Sequence, residues 1–320
     1  TLTDGRGVYL AGNTGAITNL SGGVISGNGT GAAIILTGVD STVHLQSGST
    51  VNGLIDASVS TGHNVLTVAG DLNGGYAGGT GADDVTLIGG MTVSGLIDGS
   101  SGTDALVLGG LSDGALDIGQ TTGFESRTMD GDGIWTLSGV DGDAADWALN
   151  SGTLRLTGSR SVSDTAGILV NSGATLSIGD SEAINGLNGA GAVVIDADQF
   201  LVVGINGTDS AFSGIISGAG GLEQYGAGSL TLYGVNTYTG DTRVDAGTLR
   251  LGASGVIADS SRLIVQSGAT LDMQGFDETV AVAWLNGTVN NSISPPPSPL
   301  MGGTSDGPQA VILPTDTGTL

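Results

Sequence analysis

Two glycine-rich stretches have residue types suited to calcium. Gly78-Gly-Thr-Gly-Ala-Asp-Asp-Val-Thr86 fits the nonapeptide G-G-x-G-x-D-x-U-x, and Gly99-Ser-Ser-Gly-Thr-Asp-Ala-Leu-Val107 is a near match. Ca²⁺ needs about six to eight oxygen ligands, which calcium rolls supply by repeating the nonapeptide in tandem so that facing turns share the ion. Here each copy is single, and a full strand and turn separate Gly78 from Gly99. They read as Gly/Asp turns entering strands, so neither a metal ligand nor a cofactor is expected. His44 alternates with Val43 and Leu45 and should point outward, and His63 falls in a turn. A Ser-His-Asp triad needs a histidine held by a carboxylate and facing a serine. No spacing here singles one out. Glycan hydrolysis needs two carboxylates about 5–9.5 Å apart across a cleft. Asp83 and Asp84 are adjacent and point to opposite faces of a strand, and both they and Asp141, Asp143 and Asp146 read as solvated loop residues. Asn13, Asn19, Asn52, Asn73, Asn150, Asn171 and Asn188 recur near turns. A left-handed turn conformation and a buried Asn ladder account for them equally well. No catalytic residue is expected.

Composition narrows the classes further. Of 320 residues 61 are Gly, 31 are acidic and seven are basic, all of them Arg, for a net charge of −24. Cysteine is absent, which excludes a disulfide scaffold and thiolate metal sites. A chain this acidic has no basic footprint for nucleic acid. The glycines follow no three-residue period, so collagen is excluded. Mean hydropathy is +0.25, yet no apolar run approaches the ~18–20 residues that span a bilayer. Residues 1–20 show neither the basic nor the apolar region of a signal peptide. Asp316 to Leu320 reads like the start of another strand, so a longer parent protein is expected.

What must position these residues is a repeat. Gly152 and Gly173, within Ser151-Gly-Thr-Leu-Arg-Leu156 and Ser172-Gly-Ala-Thr-Leu176, are 21 apart. Gly247 and Gly268, within Ala246-Gly-Thr-Leu-Arg-Leu251 and Ser267-Gly-Ala-Thr-Leu271, are again 21 apart, and the two pairs are offset by 95. Val51-Asn-Gly-Leu-Ile-Asp-Ala-Ser58 recurs at Val93–Ser100, an offset of 42, twice 21. Each beat holds short period-2 runs, such as Val43-His-Leu45 and Leu263-Ile-Val265, separated by Gly, Asn, Asp and Ser. Runs this short close no core alone, but stacked rungs do. The predicted fold is all-β: a right-handed parallel β-helix, a solenoid of about 21 residues per coil. Residues 1–118 form N-terminal coils and 119–211 form coils with a divergent repeat. Residues 212–290 form the clearest repeat, and 291–320 form a loop or linker and the start of a further segment. Leu230, Leu232, Leu249, Leu251, Leu271 and Trp284 are expected in the folding core of the 212–290 block. That block carries six of the twelve aromatics and should be the most stable part. Pro295, Pro296, Pro297 and Pro299 should form an extended polyproline stretch, read as a spacer with a partner-binding loop as the second possibility.

Gly214-Ile-Ile-Ser-Gly-Ala-Gly-Gly-Leu222, Gly228-Ser-Leu-Thr-Leu232, Gly234-Val-Asn-Thr-Tyr-Thr-Gly240, Ala246-Gly-Thr-Leu-Arg-Leu251 and Ser267-Gly-Ala-Thr-Leu-Asp272 follow one another in order. Together they resemble the passenger-associated transport repeat of bacterial autotransporters. Residues 119–195 resemble a divergent copy that lacks the Asn-Thr-Tyr-Thr-Gly segment. The resemblance implies a type V passenger of a Gram-negative bacterium, a surface-exposed or secreted β-helix exported through the outer membrane. The barrel that would carry it is not read in this sequence. It also implies that residues 212–290 promote folding of the rest, an autochaperone role. The function expected is adhesion, self-association or host-protein binding. The partner would be a host-surface or extracellular-matrix protein, a glycan, or another copy of the chain, with no nucleic acid. A polysaccharide-cleaving β-helix and a passive stalk for a domain elsewhere are the competing readings.

Overall fold

A computed structural model describes residues 7–12, 14–27, 31–38 and 40–291. The chain divides into two compact units, Thr1–Ser163 and Asp164–Leu320. Each is a parallel β-solenoid whose coils recur at the interval the sequence predicts. Among the described residues the one helical element is the 3₁₀ turn Ile118–Gln120.

In the first unit, one ladder runs Thr14–Asn19, Asp40–Leu45, Asn64–Val68, Asp83–Ile88, Ala105–Gly109, Ser126–Asp130 and Trp147–Leu149, every pairing parallel. Alternation within each strand sends every second side chain inward. In register these form columns: Leu45, Val68, Leu87, Leu108, Met129 and Leu149 stack along one, all buried. Each such side chain contributes roughly 1.5–3 kcal/mol by leaving water. A second ladder runs Val8–Leu10, Ile34–Leu36, Thr50–Asp56, Asp71–Ala77, Ile97–Asp98 and Thr121–Thr122. A third holds Gly114–Asp117, Ile134–Ser138 and Gly152–Leu156.

The echo of Val51–Ser58 at Val93–Ser100 has a direct structural reading. Val51 pairs with Leu72 and Leu72 with Val93, so Asp71–Ala77 is the coil lying between the two copies. Gly53 and Gly74 are in register at this corner. A Cβ on Gly74 would lie 2.1 Å from the Gly53 carbonyl oxygen, and one on Gly95 would lie 1.0 Å from that of Gly74. The coils approach here so closely that only glycine fits.

In the second unit, a ladder runs Gly167–Val170, Gly186–Gly189, Ser210–Phe212, Ser229–Leu232, Thr248–Leu251, Thr270–Asp272 and Thr288–Asn290. Another joins Glu182–Ile184, Phe200–Val203, Gly221–Gln224, Thr242–Val244, Arg262–Val265 and Val282–Leu285. A third joins Ala174–Ile178, Ala192–Ile195 and Ile215–Gly218. Leu230, Leu249 and Leu271 are one inward column, Leu232 and Leu251 another, and all five are buried.

Trp284 departs from the expected core. It pairs with Ile264 on Arg262–Val265, where Leu263 and Val265 take the inward positions, so the parity of the strand turns the indole out and leaves it 54 % exposed. Tyr225 and Tyr233 are also about half exposed, while Phe212 and Tyr238 are buried. The aromatics of this block therefore split between core and surface. Trp135, Trp147, Tyr76 and Phe124 rank with Phe212 and Tyr238 among the largest fully buried side chains. Asn13 and the Pro295, Pro296, Pro297 and Pro299 stretch lie outside the described residues.

Candidate functional sites

The nonapeptide-like turns build a polar column rather than an ion cage. Asn64, Asp83, Asp104 and Glu125 occupy equivalent places at the start of successive strands of the first ladder. Asp83 Oδ1 accepts from Asn64 Nδ2 at 2.7 Å and Oδ2 from the Gly79 backbone N–H at 2.8 Å. Both oxygens are thus committed to closing the turn. The Asp83 N–H donates to Asp104 Oδ1 at 2.7 Å, and the Asp104 N–H to Glu125 Oε2 at 2.8 Å. Asp104 is buried, and its Oδ2 has no hydrogen-bond donor. Burial pushes this carboxyl up to about 6, and the charges of Asp83, Glu125 and Asp98 add to the shift against the opposing Asp83 N–H bond. Tyr76, buried beside Asp83 and Asp104, is driven well above the ordinary phenol range by desolvation and those charges. Among the described residues no group of three or more His, Cys, Asp or Glu is arranged to hold a metal ion.

The histidines lie outside the core. His44 sits between buried Val43 and Leu45 with its side chain on the opposite face. His63 Nε2 lies 2.8 Å from Asp84 Oδ2, both half exposed, and the His63 N–H donates to Asp40 Oδ1 at 2.9 Å. Asn52 and Asn73 form a hydrogen-bonded ladder at 3.0 Å that is exposed, not buried.

Two of the loop aspartates are structural. Arg127 occupies an inward position, in column with Leu106 and Trp147, and its side chain is fully enclosed. Its Nη1 donates to Asp141 Oδ2, and its Nη2 to Asp143 Oδ2 at 2.7 Å. The guanidinium lies 5.7 Å from the centroid of the Trp147 ring. Asp141 is buried and also accepts from the Asp143 and Ser163 N–H groups. It is a countercharge rather than a solvated loop residue, and the sequence reading missed it along with Arg127. The signal was available: Arg127 has the inward parity of Leu106 one coil earlier, and Asp141 and Asp143 follow before the next strand of the ladder.

The second unit presents a mixed aromatic and charged outer face. Arg262 pairs with Asp241 through both Nε and Nη2 and stacks on the Trp284 ring, 4.7 Å from its centroid. One column over, Arg243 lies 5.8 Å from the Phe200 ring and 3.9 Å from Glu223 Oε2. These guanidinium groups are held by their neighbours and remain partly exposed.

Comparison with known proteins places this architecture. Residues 222–251 match the passenger-associated transport repeat family. Over 252 residues the chain is 29 % identical to the adhesin BmaC autotransporter of Brucella suis biovar 1 (strain 1330), a match covering 77 % of this chain and 6 % of that protein. No solved structure gives a significant match. The repeat and this similarity mark the chain as passenger sequence of the autotransporter kind. Such sequence is exported to the cell surface or the extracellular space. The chain spans only a small fraction of the length of the relative it matches.

Proposed function

We propose that the chain is an adhesin-type passenger segment that acts by binding molecules on other surfaces rather than by turnover. The observation that carries this reading is the similarity to an autotransporter adhesin over 77 % of the chain. The site chemistry is consistent with it. The carboxylates that first suggested catalysis, Asp83 and Asp141, are buried and spend their oxygens on backbone and side-chain donors of the fold. The outer face with Arg243, Arg262 and Trp284 has residue types that dominate binding energy at interfaces, held in place by Glu223 and Asp241. We assign the contact surface to this face, and to residues 212–290 the further task of promoting folding.

The test is adhesion of the purified chain to cells and to immobilised matrix proteins and glycans. Binding by the wild type, lost in Trp284→Ala with unchanged melting temperature, supports the reading. Absence of binding to any surface, or cleavage of a glycan that one Asp→Asn change abolishes, refutes it.

A further inference from the structure

Asp83 and Asp104 sit at the same place on successive coils, yet only one is fully satisfied. The difference traces to a neighbouring strand. The Gly79 N–H caps Asp83 Oδ2, and the residue equivalent to Gly79 one coil later is Ser100. The Ser100 N–H instead donates to Asp98 Oδ1 at 2.8 Å, with the Ser100 backbone at φ 72°. Asp98 stands in register with Ala77, which has no such acceptor. A single side chain, Asp98 in place of alanine, thus diverts the donor and leaves Asp104 Oδ2 with none. The carboxylates facing Asp104 come from every element around it: Asp83 and Glu125 along the column, and Asp98 from the adjoining strand. The Tyr76 hydroxyl is buried beside the column, next to Asp83 and Asn64. No cationic side chain is paired with any of these groups among the described residues.

We propose that Asp104 takes up a proton in the folded chain under mildly acidic conditions, making this column a latch that tightens the first unit as the medium acidifies. Protonation removes one of several crowded negative charges. It also converts Oδ2 from an acceptor lacking a donor into a donor itself. The upward shift of Asp104 to about 6, caused chiefly by burial, agrees with the geometry. The sign follows from linkage. A group whose folded pKa lies above its unfolded value stabilises the fold fully below the unfolded pKa, here 3.8, and that contribution is lost as pH rises through about 6. Between these limits the opening equilibrium of these coils changes by roughly a hundredfold.

The experiment uses the full chain. Carboxyl NMR reads the Asp104 midpoint directly, and exchange of the Asp83 N–H, donated to Asp104, reads the latch. The expected midpoint is near 6, with Asp83 N–H protection rising as pH falls from 7 to 5. Asp104→Asn should be more stable than wild type at pH 7.5 and should lose this pH dependence. Asn64 already places an amide at the equivalent position of the column. Asp98→Ala restores the residue type of the preceding coil and should lower the midpoint by freeing the Ser100 N–H for Asp104. Glu223 and Glu278 in the second unit are also shifted upward by burial, so the comparison is of wild type minus variant rather than the raw profile. A midpoint below about 4.5, the range of an ordinary aspartate, overturns the proposal. So do parallel pH profiles for wild type and Asp104→Asn. A melting-temperature rise with millimolar Ca²⁺ at pH 7.5, seen in wild type and absent in Asp104→Asn, also overturns it and gives the neutralising role to a metal. Should Asp104→Asn fail to fold, the wild-type and Asp98→Ala midpoints decide.

Discussion

Replacing Arg127 by leucine isolates a fully enclosed charge commitment in the first unit. Leucine suits the column, since Leu106 precedes it in register. The change removes the guanidinium from Asp141, whose side chain is fully enclosed, and from Asp143, which keeps 18 % side-chain exposure. Asp143 can turn to water. Asp141 cannot, and it retains only the Asp143 and Ser163 N–H donors, at 3.1 and 3.3 Å. Breaking a buried pair from one side costs about 3–5 kcal/mol, because an uncompensated charge stays inside. For a unit of this size each kcal/mol moves the melting temperature by about 2–4 °C, so a fall of about 10 °C is expected. Adding Asp141→Asn to Arg127→Leu removes the stranded charge, and the double variant should recover most of the loss, since neutral replacements of buried ion pairs are often tolerated. The assay is thermal and urea unfolding followed by near-ultraviolet circular dichroism, to which Trp147 beside the guanidinium contributes. Repeat arrays can lose cooperativity, so limited proteolysis of the first unit should accompany it. The argument fails if Arg127→Leu is as stable as wild type, or if the double variant is no better than the single one.

Gly74→Ala places a methyl group 2.1 Å from the Gly53 carbonyl oxygen, forces the coils apart at that corner, and should cost about 1–3 kcal/mol, read as a lower unfolding midpoint. Leu249→Asp buries an unpaired charge in the Leu230–Leu271 column and should abolish refolding from denaturant, at a cost of several kcal/mol. Deleting 212–290 should do the same if that block templates its neighbours, whereas deleting 1–50 should leave the remainder protease-resistant. Equal refolding of the 212–290 deletion and the intact chain would remove the templating role.

The solenoid is readable from sequence because each coil must solve the same turn problem at the same interval. Glycines recur where coils touch, and alternating leucines recur where strands face inward. Gly53, Gly74 and Gly95 illustrate the first, the Leu230–Leu249–Leu271 column the second. The misplacement of Trp284 has an equally plain cause. Counting aromatics ignores parity, and parity relative to Leu263 and Val265 sends the indole outward. Arg127 was hidden for the opposite reason. Its parity pointed inward, but composition makes an arginine the last residue expected among leucines, and its countercharges belong to a later loop.

The candidate sites were harder to read because a repeat shows what coils share, while chemistry arises where one coil differs from the next. Asp83 and Asp104 belong to the same motif and look interchangeable in a linear reading. Their environments diverge only when each is compared with its equivalents across the ladder: Gly79 against Ser100, and Ala77 against Asp98. On that neighbouring wall the aspartate at 98 decides which carboxylate is satisfied and which is left without a donor. The same comparison distinguishes Arg127 from Leu106 and Trp284 from Ile264. In a solenoid the informative alignment is therefore of the chain with itself, coil against coil, and the functional candidates are the residues that break their own column.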